Sequence, residues 1–420
     1  MYKTDMQRSF TILKSFICAL SFGLLLSACS SHMPSSQVVP MEKNPSKAQT
    51  ENIQNLQMLS QSADSIGYQG CTKQGMYSVE IENQSACIHY WDYAAGQSMY
   101  LCAAPNCQHN SDSCNAFIAR GGTVPQIVCN EENIFLFYPG YNDGDKSYLP
   151  FIEMADLNGS NRHTLYTFAA NQEMGEGIAG NKDHLYFTLS TISSSGTGIS
   201  QTLVSLNIKS GQLTEIYTAQ KDMLFLLGAY ESKIVMKELS MSKEIFDVYA
   251  FDLNTKELLQ LEEYSMNDTV GFAQENKLFD LRFENQKVSV ELKNWINGES
   301  AEISDCFVTL NGSASLLPIG YYNGILFVNS VVGTKEDGNL EVAQYAVDTV
   351  NRTVQKIAFC DPVTKRPLNI MGAVGANKEI LIIEKNQYSG TSMESYESSD
   401  CYSIALTDYV QGNTAFSRIG

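Results

Sequence analysis

Cys102, Cys107, His109 and Cys114 stand in a Cys-x4-Cys-x-His-x4-Cys spacing within the stretch LCAAPNCQHNSDSCNAF. Three thiolates and one imidazole so close in sequence can fold round a tetrahedral Zn²⁺ ion. Pro105, Asn106, Asn110 and Ser111 supply the turn chemistry that would bring the donors together. With four protein ligands no position is left for water or substrate, so such a site would be structural rather than catalytic. A disulfide between two of the three cysteines is the competing expectation, because exported chains oxidise. A redox or haem role lacks its Cys-x-x-Cys-His signature. The spacing also departs from the zinc-knuckle pattern, in which the first two cysteines are separated by two residues.

Other catalytic signals are sparse. The chain has no Gly-x-Ser-x-Gly, no His-Glu-x-x-His and no phosphate-binding loop. Its five histidines are His32, His89, His109, His163 and His184, and apart from His109 they read as tether, strand or surface residues. Asn142-Asp143-Gly144-Asp145 gathers oxygens that suit Ca²⁺, but without the twelve-residue loop and terminal Glu of an EF-hand it reads as a polar hairpin turn. Tyr388, Tyr396, Tyr402 and Tyr409 crowd the C-terminal part, where aromatic rings serve strand packing or stack on sugars and peptides.

The elements that must position these residues are strands. One unit recurs: an apolar run, a polar loop, an alternating run, a tight Asx turn and a final short run. Its turn positions are Asp92, Asp156, Asn207, Asp252, Asn294, Asp348 and Thr407. An Asx side chain accepts bonds from the backbone N–H groups that follow it, which suits tight turns. The apolar runs before them, such as Ile134-Phe135-Leu136-Phe137 and His184-Leu185-Tyr186-Phe187, are β-rich. No stretch keeps a 3.6-residue period over a dozen residues, so helix should be scarce. Repeats of this length indicate an all-β protein, a β-propeller of four-stranded blades, seven by this alignment, with six or eight left open.

In such a meander the loops between the second and third strands share a face with the crossings to the next blade. The long polar stretches Pro139–Tyr148, Ser190–Ser200, Asn329–Asn339 and Asn386–Ser399 fall there, and loops on a rigid scaffold commonly carry function. The Cys/His insert follows the outermost strand of the first unit, so it is expected at the crossing to the second, on that same face.

The N-terminus is a targeting segment. Lys3, Arg8 and Lys14 precede Ser15–Leu26, an apolar run of twelve residues that is too short to span a bilayer comfortably. It ends in Leu26-Ser27-Ala28-Cys29, which resembles a bacterial lipobox. That resemblance implies cleavage before Cys29 and lipidation of its thiol. Residues 1–28 then form the signal peptide. Residues 29–66, rich in Ser, Pro, Gln and Asn, form the lipidated cysteine and a flexible tether, with at most a helical turn through Ile53, Leu56 and Leu59. Residues 67–420 form the propeller. The body is similar to the TolB-like and uncharacterised propeller lipoproteins of Gram-positive anaerobes, which carry a comparable insert of a cysteine, Pro-x-Cys-x-His and a further cysteine.

Composition bounds the partners. The 420 residues carry a formal charge of −18, and removal of the signal takes it to −20. Phosphate backbones need the opposite sign, so nucleic acid is excluded. The membrane is met through Cys29 rather than a basic patch. The expected role is non-catalytic binding or scaffolding at the extracytoplasmic face of the cell membrane, toward a protein, peptide or glycan. The alternatives are an extracellular glycan- or peptide-acting hydrolase or lyase, and a metal-handling or redox protein. Setting aside Cys18, Cys29 and the cluster leaves Cys71, Cys87, Cys129, Cys306, Cys360 and Cys401 undecided between thiol and disulfide.

Overall fold

The computed structural model describes residues 53–60, 69–82, 85–118, 124–143, 146–193, 198–266, 269–310, 312–335, 338–375 and 377–419. Residues 1–28, expected to be a signal peptide, Cys29, and the expected tether 30–66 except for 53–60 lie outside the described residues. Residues 54–420 make one compact unit.

Among the described residues strands dominate and form seven consecutive antiparallel meanders, each in the order inner, second, third and outer strand, the first with its outer strand in two pieces. Alternating or fully apolar strands bury their side chains between neighbouring sheets, and this packing joins the meanders in sequence. Ile127 and Leu136 of the second pack on Ile88 and Ile118 of the first. Phe135 and Phe137 meet Ile178 and Phe187 of the third. Val235 and Val248 of the fourth face Ala273 and Leu278 of the fifth. Phe279 and Val290 face Leu326 and Val347 of the sixth. Phe327 and Ala346 face Leu381 and Ile383 of the seventh. Met76 of the first then meets Ile382, Cys401 and Ile419 of the seventh, which closes the ring. The result is a β-propeller.

The tight turns join third to outer strands. The Oδ1 atoms of Asp92, Asn207, Asp252, Asn294 and Asp348 each accept two backbone N–H bonds from the residues two and three places on. Asp156 instead accepts from the Ser160 hydroxyl and the Asn161 amide. Thr407 is the exception to the repeat. The third strand of the last blade runs straight into a six-residue helix, Leu406–Gln411, which ends at Gly412 with φ of +80°. Its Tyr409 is fully buried and donates to Gln344 Oε1 at 2.8 Å, so the helix spends its apolar face on the neighbouring blade. Thr lacks the carboxylate or amide that closes the other turns.

The loops at the opposite face are shorter than the sequence suggests. Second and third strands continue into them, pairing Ile192 with Ile199 and Thr334 with Leu340. Polar composition did not end the strands because the second and third strands stay hydrogen-bonded to each other. In the second blade the segment forms its own small hairpin, Tyr141–Asp143 with Lys146–Tyr148, on which Tyr141 and Tyr148 stack at 4.4 Å. Residues 144 and 145 lie outside the described residues, so the Asn142–Asp145 oxygens are not placed.

The tether boundary is corrected. Leu56–Ser60 is a strand, not part of a flexible segment or a helical turn. It pairs antiparallel with the inner strands of the third and fourth blades, Gln172–Gly180 and Met223–Glu231, and so joins them into one nine-stranded sheet. Leu56 is buried, and Ser60 accepts a bond from Gln126 of the second blade. Five residues with two apolar contacts gave too weak a periodicity to be read, and the unpaired edges of two inner strands supply what the sequence does not show.

Candidate metal centre

The outer strand of the first blade is split. Gln97–Tyr100 pairs with His89–Asp92, and Phe117–Ile118 pairs with Ala86–Cys87. Between them the chain leaves the ladder and returns to it at a single residue. Leu101 N–H donates to the Ile88 carbonyl at 2.9 Å, and Ile88 N–H donates to the Ala116 carbonyl at 2.8 Å. The Cys/His insert is therefore an excursion from an edge strand, not a crossing between blades. It is also not held on the face of the second-to-third-strand loops. It leans on the tight turn of the second blade, where the Asn115 amide donates to the Asn158 carbonyl at 3.4 Å. Gly159 in that turn has φ of +79°, and a β-carbon there would stand 2.9 Å from Asn115 Cβ and 3.1 Å from Leu101 Cδ2. The expected site at the crossing rested on the outer strand ending at Cys102; it resumes instead, because Phe117 and Ile118 still find free ladder positions on the third strand.

All four predicted ligands come together. One donor atom from each of Cys102, Cys107, His109 and Cys114 lies within 4.8 Å of the others. The backbone shows how short spacing achieves this. Asn106 and His109 both take left-handed conformations, with φ of 58° and 50°. Asn and His are among the residues that accept this region most readily. Cys107 N–H bonds back to the Ala104 carbonyl and Cys114 N–H to the Ser111 carbonyl, two tight turns that bring successive sulfurs inward. Zn–S bonds of about 2.3 Å and a Zn–N bond of about 2.0 Å would put ligand atoms roughly 3.5–3.8 Å apart. His109 Nδ1 already stands 3.3 Å from Cys114 Sγ, so this edge of the tetrahedron is formed. The widest pair closes on metal binding by about an ångström.

The surroundings act oppositely on two of the sulfurs. Burial works against charge on Cys102, but N–H groups of Ala104 and Asn115 and the neighbouring Cys114 and Cys107 thiols bond to its sulfur, and the balance holds it below the ordinary thiol range. Cys114 is almost fully buried, which pushes its thiol up to about 11 although the Ala116 and Phe117 N–H groups point at it. A cation among the sulfurs would reverse that upward shift, since a coordinated thiol loses its proton outright. The imidazole is fixed from behind. Tyr100 stacks on it at 4.0 Å and 14°, and the Cys87 thiol donates to the His109 carbonyl at 3.4 Å. These two residues were missed in the sequence, because they lie in ordinary alternating strands and only the return of the insert brings them to the cluster. No disulfide joins any of the nine described cysteines. The donor set can hold a metal ion and leaves no place on it for substrate.

None of the other described histidines is among the clustered donors. His89 is buried between Tyr100, at 4.4 Å, and Glu80, at 3.9 Å. His163 bonds to the Asn161 carbonyl, and His184 to the Asn207 amide that belongs to a tight turn.

Carboxylate pairs do occur, and they bond within the protein in part, although Glu238 Oε2 and Asp280 Oδ1 are buried without a hydrogen-bond partner. Glu238 and Asp247 face each other across neighbouring strands, at 0% and 2% exposure. Tyr217 Oη and Gln220 N–H bond to Glu238, while Gln260 and Lys221 hold Asp247. Asp280 and Glu291 are likewise cross-strand partners, and Lys293 Nζ sits 3.6 and 3.5 Å from them.

No protein-family model matches the chain, and no curated protein matches it in sequence. Solved structures do match in fold. The acylaminoacyl peptidase of Pyrococcus horikoshii is 12% identical over 87% of this chain and 52% of its own, with a TM-score of 0.50. The dipeptidyl peptidase 4 of Porphyromonas gingivalis is 9% identical over 84% and 58%, at 0.46. The β-propeller domain of the trilobed protease of Pyrococcus furiosus is 13% identical over 60% and 72%, at 0.41. The likeness is one of fold. The chain spans about half the length of the two peptidases. At these identities nothing about activity transfers.

Proposed function

We propose that this protein is a lipid-anchored β-propeller at the extracytoplasmic face of the cell membrane. It is held there through Cys29 and acts as a non-catalytic binding or scaffolding module for a protein, peptide or glycan. The observation that carries this reading is the apolar and aromatic surface at the ends of the second-to-third-strand hairpins. Tyr148 and Leu149 of the second blade, Ile192 and Ile199 of the third, and Met393 and Tyr396 of the last are all exposed there. Exposed apolar groups gathered at one end of a scaffold mark interaction surfaces. Of the carboxylate pairs described above, Glu238 and Asp247 are buried on their own partners just below the hairpin end of the fourth blade. In this proposal Cys102, Cys107, His109 and Cys114 hold a structural Zn²⁺ that fastens the insert to the first blade.

The test is a screen of the soluble chain, freed of its first 28 residues, against peptide and glycan arrays. Binding that Ile199→Ser and Leu149→Ser each weaken at least fivefold, with unchanged melting temperature, supports the module. Turnover of a bound peptide or glycan would establish instead the alternative, a hydrolase or lyase, for which fold likeness to the peptidases is the support.

A further inference from the structure

We infer that the Cys/His cluster is a redox-controlled centre, in which Cys102 and Cys107 exchange the metal for a disulfide bond. The inference rests on the metal proposed for this site and adds its regulation. The donor atoms of all four residues lie within 4.8 Å of one another. A disulfide holds its sulfurs at about 2.05 Å. The Cys102 and Cys107 sulfurs therefore have at most about 2.8 Å to close, which a change of χ1 rotamer covers. The three sulfurs are not equivalent. Cys114 is 3% exposed and belongs to the packed core of the first blade, with Leu101, Ala116 and Ile118. Cys102 and Cys107 are half-buried, and every residue between them, Ala103, Ala104, Pro105 and Asn106, is exposed. A small oxidant reaches these two sulfurs from solvent, whereas packing shields Cys114. The turn between them is held by a long bond, from the Cys107 N–H to the Ala104 carbonyl at 3.3 Å, and can adjust as the sulfurs approach.

The oxidant is a low-molecular-weight disulfide. One of the two cysteine sulfurs attacks a sulfur of that disulfide, a mixed disulfide forms, and one small thiolate leaves. The second cysteine sulfur attacks the first, which closes Cys102–Cys107 and expels the other small thiolate. The cysteine pair loses two electrons, and the small disulfide gains them and becomes two thiols. In the metal-free chain the two cysteine protons pass to the leaving thiolates. In the loaded chain the coordinating sulfurs carry no proton, so the leaving thiolates take theirs from water and the ion departs with its charge. His109 and Cys114 remain, with Nδ1 3.3 Å from Sγ. Two donors do not make the four-coordinate shell of a structural zinc site, so oxidation releases the ion. The state of the insert then follows the thiol–disulfide balance around it.

The test uses the chain freed of its first 28 residues, which keeps the compact unit 54–420 whole, loaded with Zn²⁺ and exposed to oxidised glutathione. Peptide mass mapping should find a Cys102–Cys107 disulfide. A zinc-sensitive dye should record one ion released for each such bond formed, and reduction with added Zn²⁺ should restore the loaded form. Cys71→Ser and Cys360→Ser, at exposed cysteines outside the cluster, should leave the rate of release within twofold. Zinc that stays bound while oxidised glutathione is consumed overturns the exchange and leaves the metal site standing. So does a map that joins Cys114, or a cysteine outside the cluster, in place of the Cys102–Cys107 bond. A reduced chain that takes up no Zn²⁺ overturns the metal reading itself, and the exchange with it, whatever disulfide is mapped.

Discussion

The chemistry of this protein is densest at Cys102–Cys114, where single side chains carry separable roles. The sulfurs and imidazole offer donors, Tyr100 stacks on the imidazole, Cys87 holds the His109 main chain, and main-chain N–H groups compensate charge on Cys102. Purified protein should therefore contain close to one zinc per chain by elemental analysis, and Cys107→Ser should lose it. If metal binds the native state alone, free zinc a thousandfold above its Kd contributes about 4 kcal/mol. Strong chelators should then lower the melting temperature, and added zinc should restore it. An unchanged melting temperature in metal-free protein would refute the structural role. A second residue-scale expectation concerns Asp280. Burial pushes its carboxyl up to about 6, against the pull of Lys293. An acid whose folded pKa lies above its unfolded value contributes most at low pH, and that contribution is lost as pH rises toward the folded value. Relative to Asp280→Asn, the native chain should lose stability between about pH 4 and 6 in urea titrations, and hold a constant difference above that.

At the scale of elements, the strand Leu56–Ser60 has the largest consequence for its length. It occupies the free edges of two inner strands and buries Leu56 at 3% exposure. Leu56→Ala should cost about 2–5 kcal/mol in equilibrium unfolding, the range for a buried leucine. If the segment were only a tether, the change would be within about 0.5 kcal/mol. The tight turns were legible in the sequence because their chemistry is local. Asp252 bonds to the N–H groups of Asn254 and Thr255, two and three residues away, whatever the rest of the chain does. The helix at Leu406–Gln411 was not legible. Six residues are too few for a period, and burial of Tyr409 against the sixth blade, a tertiary contact, is what selects it.

The described blades form a ring in which only the third and fourth share one sheet, and the last seam is closed by side chains alone. The described part of the N-terminal chain contributes no strand to the last blade, whose sheet is Asn369–Val374, Ile380–Tyr388, Tyr396–Ala405 and Ser417–Ile419. The seventh blade therefore meets the first through side chains, Ile382, Cys401 and Ile419 against Met76, with Trp91 and Tyr93 beside them. Ile382 is 1% exposed, so Ile382→Ala should cost about 2–5 kcal/mol. Hydrogen exchange in that variant should quicken first in the two blades flanking this seam. Uniform acceleration round the ring would mean that the blades open only together.

The sequence by itself determined most of the strands, the Asx turns, the repeat and the four clustered donors that could hold a metal. Each of these depends on residues a few positions apart, so composition and spacing carry them. Tertiary structure decided the rest. Cys102–Cys114 was legible as a donor set but not as an excursion from an edge strand, since only the ladder to Ile88 fixes where the chain leaves and returns. The polar hairpin stretches kept their strands because a paired partner outweighs their composition. Leu56–Ser60 gained its structure from strands more than a hundred residues away, because hydrogen bonds across a sheet are specified by open edges rather than by side-chain pattern.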